Sequence, residues 1–505
     1  MDYTITPETQ HQMIEYLKSI NCCLSCCTRF MGTGTSEYFR NLMSDSKLLN
    51  DTLKDANAID NVSCIACIGI LQYDIQQQTL KQIIDSVNSS GFDCPTFTCN
   101  LSIPASLNLR ERYIHISLTQ KFNLSKDQLC SLKLRTQNIK EVWKMQMLSV
   151  VEAGILKQQI SGAIPSPFSI DIIYDYANDQ EDCQKFTESY TKNVESRNNK
   201  HRNNIYSRNN IEKLLNNIED DEFMKHFSPS SGHVTIGKIS CFHRGFFIGG
   251  RYKKLSRHLS QTPWYINGEK KMETSVQDLL CNHIVKYTNS DSLKFLSSGR
   301  EDVDVRTINK GRPFAVELIN PKVTIIAAEK LAEIVDEINA STKLVEITSG
   351  LKFLCSSDLQ KLKEGENVKT KCYRALCILR HKSKDAINLE QLSNMKNIKI
   401  IQKTPIRVLH RRPLTPRTRL LREMRARWLT IEEIKKAREL FSESHIDHDL
   451  LNHLFVFDIK TQAGTYVKEF VHGDFGRTRP NLSDILGAEV DIVALDVTAV
   501  NIEWP

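Results

Sequence analysis

The chain has 505 residues, 67 Lys and Arg against 60 Asp and Glu, and a formal net charge of +7 at pH 7. That length exceeds what one core fills, so two or three domains are expected, and a 40 % hydrophobic, 25 % charged composition is that of an ordinary soluble globular protein. No run approaches the roughly 18 apolar residues of a membrane span, and the N-terminal MDYTITPETQ has neither a basic nor an apolar leader region, so an intracellular protein without a membrane segment is expected.

In such a compartment the 15 cysteines are expected as free thiols. Residues 1–90 hold two C-x-x-C pairs, Cys23-Leu-Ser-Cys26 and Cys64-Ile-Ala-Cys67, each able to offer two thiolates to one tetrahedral ion. Structural zinc, a redox pair and buried free thiols all fit that spacing, and Cys22 and Cys27 are alternative ligands. Residues 91–190 alternate short apolar runs (FTCNLSI, IHISL, FSIDIIYDY) with helical patterns such as 128–146, which predicts a compact α/β module. Residues 191–235 are dense in Asn with scattered basic residues and read as a linker.

Residues 236–505 are richer in β patterns: FAVELI, KVTIIAA, LVEITSG, LFVFDIKT and DIVALDVTAVNIEW. Between them Leu331, Ile334, Val335 and Ile338 share one helical face, and Thr430-x-x-Glu433 predicts a capping box opening a further helix. The fold class is α+β. No internal repeat is present.

Basic residues gather in this half. Gly249-Gly250-Arg251-Tyr252-Lys253-Lys254-Leu255-Ser256-Arg257 joins glycines to cations, and 261–271 continues with Trp264, Lys270 and Lys271. Glycine permits close backbone approach to phosphate and the cations neutralise it; a solvated basic face is the alternative. Residues 403–427 carry nine Lys or Arg against the single acid Glu423. Pro405, Pro413 and Pro416 oppose a continuous helix there and predict a projecting extended arm, with Arg407, His410, Arg411, Arg412, Arg417 and Arg419 as RNA contacts. A membrane surface or nuclear-import signal is the other reading.

The most unusual charge pattern is Gly299-Arg300-Glu301-Asp302-Val303-Asp304-Val305-Arg306. At strand spacing Asp302 and Asp304 would share one face with Arg300 and Arg306. The segment 298–322, SGREDVDVRTINKGRPFAVELINPK, resembles the catalytic motif of pseudouridine synthases, and most resembles their tenth family, Pus-ten, of archaea and eukaryotes. The motifs GRYKKLSRHLSQTPW, KCYRAL, TPIRVLHRRPL and KTQAGTYVKEFVHGDFGRTRPNL extend the resemblance over about 236–505, and CLSCCTRF with SCIACIGILQ extends it more thinly to the N-terminus.

The resemblance implies a C-terminal catalytic domain on a mixed, largely antiparallel sheet, preceded by a zinc-binding accessory domain with a THUMP module at 91–190. It makes Asp302 the nucleophile, because Asp302 follows Arg300 by two, and Asp304 a support residue or solvated neighbour. Tyr373 would stack on the target uracil, and Lys468 would pair with the catalytic aspartate where bacterial relatives commonly carry Arg. Residues 262–275 would form an RNA-contacting forefinger loop and 404–419 a thumb loop, while Cys23, Cys26, Cys64 and Cys67 would hold a structural Zn²⁺ with no organic cofactor. The Asn-rich stretch and a helix at 429–451 depart from the family. The implied activity is isomerisation of the adjacent uridines 54 and 55 of the tRNA TΨC loop by a cytoplasmic or nuclear monomer, with a further role in RNA processing. Two rivals remain: a metal-dependent nuclease using Asp302, Asp304 and Glu317, and a zinc-dependent RNA-binding protein without catalysis.

Overall fold

The computed structural model describes residues 5–44, 62–160, 162, 164–191, 208–364, 370–440 and 448–504. The chain divides into two compact units, Met1–Arg244 and Gly245–Pro505.

In the first unit, β1 (Thr96–Ser102), β2 (Gln158–Gln159), β3 (Phe168–Asp175) and β4 (Thr235–His243) form a sheet in the order β2-β1-β3-β4, parallel except for the β3–β4 pair. In β3 the side chains of Phe168, Ile170, Ile172 and Tyr174 are buried alternately, the period of a strand with one covered face. Helices Tyr73–Ser90, Ser106–Phe122 and Ile139–Ile155 surround it, with Trp143 fully buried. The cysteine-bearing segment is not a separate module, because Cys23, Cys26, Cys64 and Cys67 share one core with Phe97, Trp143 and Phe168. The run IHISL lies within the helix Ser106–Phe122. The pattern over 128–146 is split between two helices, Lys126–Arg135 and Ile139–Ile155, because Asn138 caps the second.

The expected linker is also corrected. Helices Arg208–Asn217 and Asp220–His226 bury Ile211 and Phe223, and the residues that follow them bury Ile218 and Phe227, in one cluster with Leu109 and Ile116, and β4 then completes the sheet. The boundary therefore falls at Arg244 and Gly245, after the expected 235/236. Residues 192–207 of the Asn-rich stretch lie outside the described residues.

The second unit is built on an 11-stranded sheet. Its strands are β5 (Phe246–Lys254), β8 (Ser292–Ser297), β9 (Arg306–Ile319), β10 (Val345–Ile347), β11 (Lys352–Leu354), β12 (Thr370–Leu379), β13 (Lys396–Gln402), β14 (Arg417–Trp428), β15 (Leu454–Gln462), β16 (Thr478–Arg479) and β17 (Val490–Val500). The order is β10-β5-β9-β17-β12-β15-β14-β13-β16, with β11 beside β5 and β8 beside β9. The sheet is mixed, and among the described pairs only β9 and β17 run parallel. A separate hairpin, β6 (Tyr265–Ile266) and β7 (Glu269–Lys270), projects between β5 and β8 in the chain.

Helix Ala328–Ser341 buries Leu331, Ile334 and Ile338, the face read from the sequence. The capping box is present: Glu433 N–H donates to Thr430 Oγ1 at 3.3 Å and Thr430 N–H to Glu433 Oε2 at 2.9 Å. Three expectations fail. KVTIIAA is an irregular segment, with Ile325 exposed. Residues 301–305 form a turn, so Asp302 and Asp304 do not sit in a strand. Residues 403–427 are not a free arm: a 3-10 turn, Ile406–Arg411, leads into β14, which lies between β13 and β15. The cross-strand neighbours of β14 supply the backbone partners that an isolated basic stretch would lack.

Arg251, expected as an RNA contact, is a strut. Its guanidinium donates to the carbonyls of Lys310 at 3.1 Å, Val500 at 3.0 Å, Ile502 at 3.2 Å and Trp504 at 3.0 Å, tying the C-terminus to β5. The neighbouring glycines serve packing, since a Cβ on Gly249 would sit 2.5 Å from Phe314 O and one on Gly250 2.4 Å from Gly350 O. Arg251→Met strands these acceptors and is expected to cost about 2–3 kcal/mol in chemical denaturation. The salt dependence of binding to the RNA that the resemblance implies should not change; a flattened salt slope at unaltered stability would restore Arg251 as a phosphate contact.

Candidate active site

The acidic turn between β8 and β9 is held from beneath. Glu301 is buried and ion-pairs with Arg312, itself buried, at 2.6 Å, while the Tyr252 hydroxyl donates to Glu301 at 2.7 Å. Arg312 Nη1 donates to Ser298 O at 2.7 Å, and Gln261 donates to Tyr252 Oη at 3.0 Å and to Gly299 O at 3.1 Å. Gly299 turns the chain at φ +88°, a conformation that favours glycine, and a Cβ there would displace the Lys371 ammonium, 2.4 Å away.

Two further residues expected on an RNA surface also hold this turn. Pleating points Tyr252 and Lys254 inward while Arg251 and Lys253 point outward. Lys254 is fully buried and donates to the carbonyls of Leu259 at 2.7 Å, Asp302 at 3.1 Å and Val303 at 2.6 Å. Burial pulls its ammonium down to about 8, with Glu301, Asp304 and Asp302 acting against the fall. Arg257 donates to Asp304 O at 3.0 Å and Leu495 O at 2.9 Å and pairs with Asp496 at 2.6 Å. Lys253 pairs with Glu346 at 3.0 Å.

The two carboxylates are then met by two cations. Lys468, on the helix Val467–His472, lies 2.7 Å from both oxygens of Asp304 and 3.5 Å from Asp302 Oδ2. The expected partnership with Asp302 is therefore the looser of its two contacts. Burial resists ionisation of Asp304, but the Lys468 ammonium outweighs it and holds that carboxyl below its ordinary value. Asp302 Oδ2 also meets Arg407 Nη1 at 2.9 Å, and Arg407 Nε reaches Glu469 at 2.6 Å. Burial lowers the Arg407 guanidinium, and Glu469 with Asp302 reverses this and raises it. Half-buried Tyr373, on β12, has a hydroxyl pushed up to about 12 by burial, Arg312 opposing and Asp302 and Glu301 among its charged neighbours.

Sequence reasoning missed Glu301, Arg312, Gln261 and Glu469, and placed Arg407 on RNA rather than on Asp302. The adjacency of Glu469 to Lys468 was the one available signal. Of the remaining basic candidates, Lys271 pairs with Glu269 at 2.7 Å, Lys270 lies 3.7 Å from Asp278, and Arg419 donates to Gly464 O at 3.2 Å. Trp264 at the β6–β7 hairpin is exposed, as are His410 and Arg412. Arg417 opens β14 opposite Gln402, and the side chain of Arg411 lies outside the described residues. Glu317 pairs with Lys294 at 3.2 Å. Among the described residues it does not join Asp302 and Asp304 in a metal-capable group, which removes the ligand set of the nuclease reading.

The metal-capable group that is present lies in the first unit. Cys23, Cys26, Cys64 and Cys67 are buried with their sulfurs within 4.8 Å of one another, and Cys22 and Cys27 are outside the group. Cys23 and Cys67 are 3.8 Å apart, close to the edge of a tetrahedron with metal–sulfur bonds of about 2.3 Å. These four thiols can hold a structural metal ion such as zinc. Cys64→Ser should lose that metal by elemental analysis and destabilise the unit by several kcal/mol, because three ligands leave the shell incomplete. A metal-free wild-type protein, or a variant of unchanged stability, would sink this assignment.

Comparison with known proteins shows the family. The family profile "Pus10, C-terminal" matches residues 247–501 and "Eukaryotic Pus10, N-terminal" matches residues 64–241. The human protein named tRNA pseudouridine synthase Pus10 is 35 % identical over 88 % of this chain and 79 % of its own length. The mouse protein of that name is 34 % identical over 92 % and 84 %, and the Archaeoglobus fulgidus one 33 % identical over 51 % and 68 %. The chain belongs to the Pus10 family of tRNA pseudouridine synthases.

Proposed function

We propose that the chain isomerises uridine to pseudouridine in tRNA, at the adjacent uridines 54 and 55 of the TΨC loop, with Asp302 as nucleophile. The observation that carries this reading is Asp302 held between Arg407 at 2.9 Å and Lys468 at 3.5 Å. The nearest approach of both cations is to the same oxygen, Oδ2. Asp304, with both oxygens on Lys468, is the support residue.

The carboxylate attacks the uridine at the sugar or at the base, the N1–C1′ bond breaks and the uracil turns. A C5–C1′ bond then forms, the bond to Asp302 breaks and returns its electron pair to the carboxylate, the C5 proton is lost and N1 gains one. Atoms and charge balance without an oxidant, metal or external energy source. Tyr373 would hold the turning base by stacking, and Arg407 and Lys468 would keep compensating the aspartate charge. The target must leave its stack to reach the turn, and exposed Trp264 with Lys270, Lys271, Arg412, Arg417 and Arg419 would supply contacts that offset this cost. The four cysteines would bind Zn²⁺ in a structural role, since a four-thiolate shell leaves no open position for substrate. A THUMP-like role for the sheet of the first unit would add tRNA contacts.

Asp302→Asn should reduce isomerisation at least about 1000-fold in single-turnover assays on an unmodified tRNA transcript, with tRNA affinity within about threefold of wild type. Asp304→Asn should cost less. An active Asp302 variant beside a dead Asp304 variant would reverse the assignment. In excess EDTA, short of zinc loss, the product should be intact RNA of unchanged mass containing pseudouridine. Mg²⁺-dependent cleavage would overturn the isomerase reading, and tight binding with neither reaction would favour a non-catalytic RNA-binding protein.

A further inference from the structure

The helix that carries Lys468 and Glu469 ends in a loop, His472-Gly473-Asp474-Phe475-Gly476-Arg477-Thr478-Arg479, whose tip is unusual on two counts. Phe475 leaves 95 % of its surface open to water. It also lies in the left-handed region at φ +55°, directly after Asp474 at φ +47°. Neither is a glycine, and each such residue costs on the order of 1 kcal/mol.

The surroundings over-determine this shape. Asp474 N–H donates to His472 Nδ1 at 3.1 Å, and Arg477 N–H and Thr478 N–H close the loop on Asp474 O and Gly473 O, both at 3.1 Å. The Arg477 side chain donates to Thr404 O at 2.7 Å, Lys403 N–H donates to Arg477 O at 2.9 Å, and Ile406 N–H donates to Asp474 Oδ2 at 3.3 Å. The loop is thus bolted to the turn that carries Arg407, one ion pair from Asp302. A rigid, strained loop here displays a large aromatic ring that packs on almost nothing of its own chain. The flanking charge is positive: a Cβ on Gly476 would sit 3.2 Å from Arg479 Nη2, so that guanidinium lies beside the tip.

We infer that Phe475 is a stacking platform for an unpaired base of the RNA substrate next to the reacting uridine. This inference rests on the isomerase reading for the identity of the RNA. An aromatic face beside a guanidinium is the chemistry that takes a splayed-out base and its phosphate, and a pre-ordered loop loses little freedom on binding. Tyr373 is on a different element, inside the site; Phe475 would grip a neighbour of the target, holding the bent loop open.

The test uses the full chain and an unmodified tRNA transcript. Phe475→Ala should raise KM and the dissociation constant about 5- to 150-fold, the range for one lost base stack, with kcat within about twofold. Phe475→Trp should restore affinity, and its indole fluorescence should be quenched on RNA binding. Melting temperatures of both variants should match wild type, because the side chain buries almost nothing. Unchanged KM and affinity in Phe475→Ala, or a lowered melting temperature that accounts for the loss, would overturn the platform. A wild-type protein that binds tRNA but does not isomerise it would instead sink the isomerase reading, and the affinity ratio of Phe475→Ala to wild type would still decide the stacking role.

Discussion

The buried Glu301–Arg312 pair is the contact on which the rest of the site depends. Register places Arg312 on β9 opposite Tyr252 on β5, so strand pairing alone brings a guanidinium and a phenol to one point under the sheet's edge. Glu301, drawn to both, fixes the turn one residue before Asp302. Such a pair adds little net stability, because removing two charges from water costs nearly what their attraction returns. Removing one partner is expensive, at about 3–5 kcal/mol, and that asymmetry makes the turn's position unique.

Above this base, lysine and arginine divide the work by shape. Lys254 is a compact ammonium that can face three carbonyls at once, which suits the inside of a turn. Arg407 is a planar fork that spans two acids, Asp302 and Glu469, and thereby links the turn before β14 to the helix bearing Lys468. Lys468 closes on Asp304 with both oxygens satisfied, so the departure from arginine at this position lets one point charge serve two carboxylates at 2.7 and 3.5 Å.

Much of this was legible in the sequence, and the rest failed for identifiable reasons. The motifs around Asp302, Tyr373 and Lys468 lie far apart in the chain, and the fold brings Lys468 onto the acidic turn and the Tyr373 strand beneath it. The helix at Leu331–Ile338 and the Thr430–Glu433 box were readable because a helix's period and caps are local. Glu301 was not, since an acid in a charged run looks solvated unless its buried partners, Tyr252 and Arg312, are known. The Asn-rich boundary failed likewise: Ile211, Phe223 and Phe227 are too sparse to read as a core, yet each is buried against helices formed about 100 residues earlier.

The basic stretches show where composition misleads most. Arg251, Lys253, Lys254, Arg257 and Arg407 all came from segments dense in positive charge, and each is engaged by the protein's own oxygens. A folded sheet of this size ends many strands and turns with unpaired carbonyls, and a long cationic side chain is the cheapest way to satisfy several at once. Positive charge near an acidic turn therefore has two tasks that look identical in a sequence. Pleat decides which oxygens each cation reaches: Lys254 turns inward to the carbonyls of Asp302 and Val303, while Arg251 on the other face reaches those of the C-terminal segment, so a one-residue shift would withdraw the ammonium from the acidic turn.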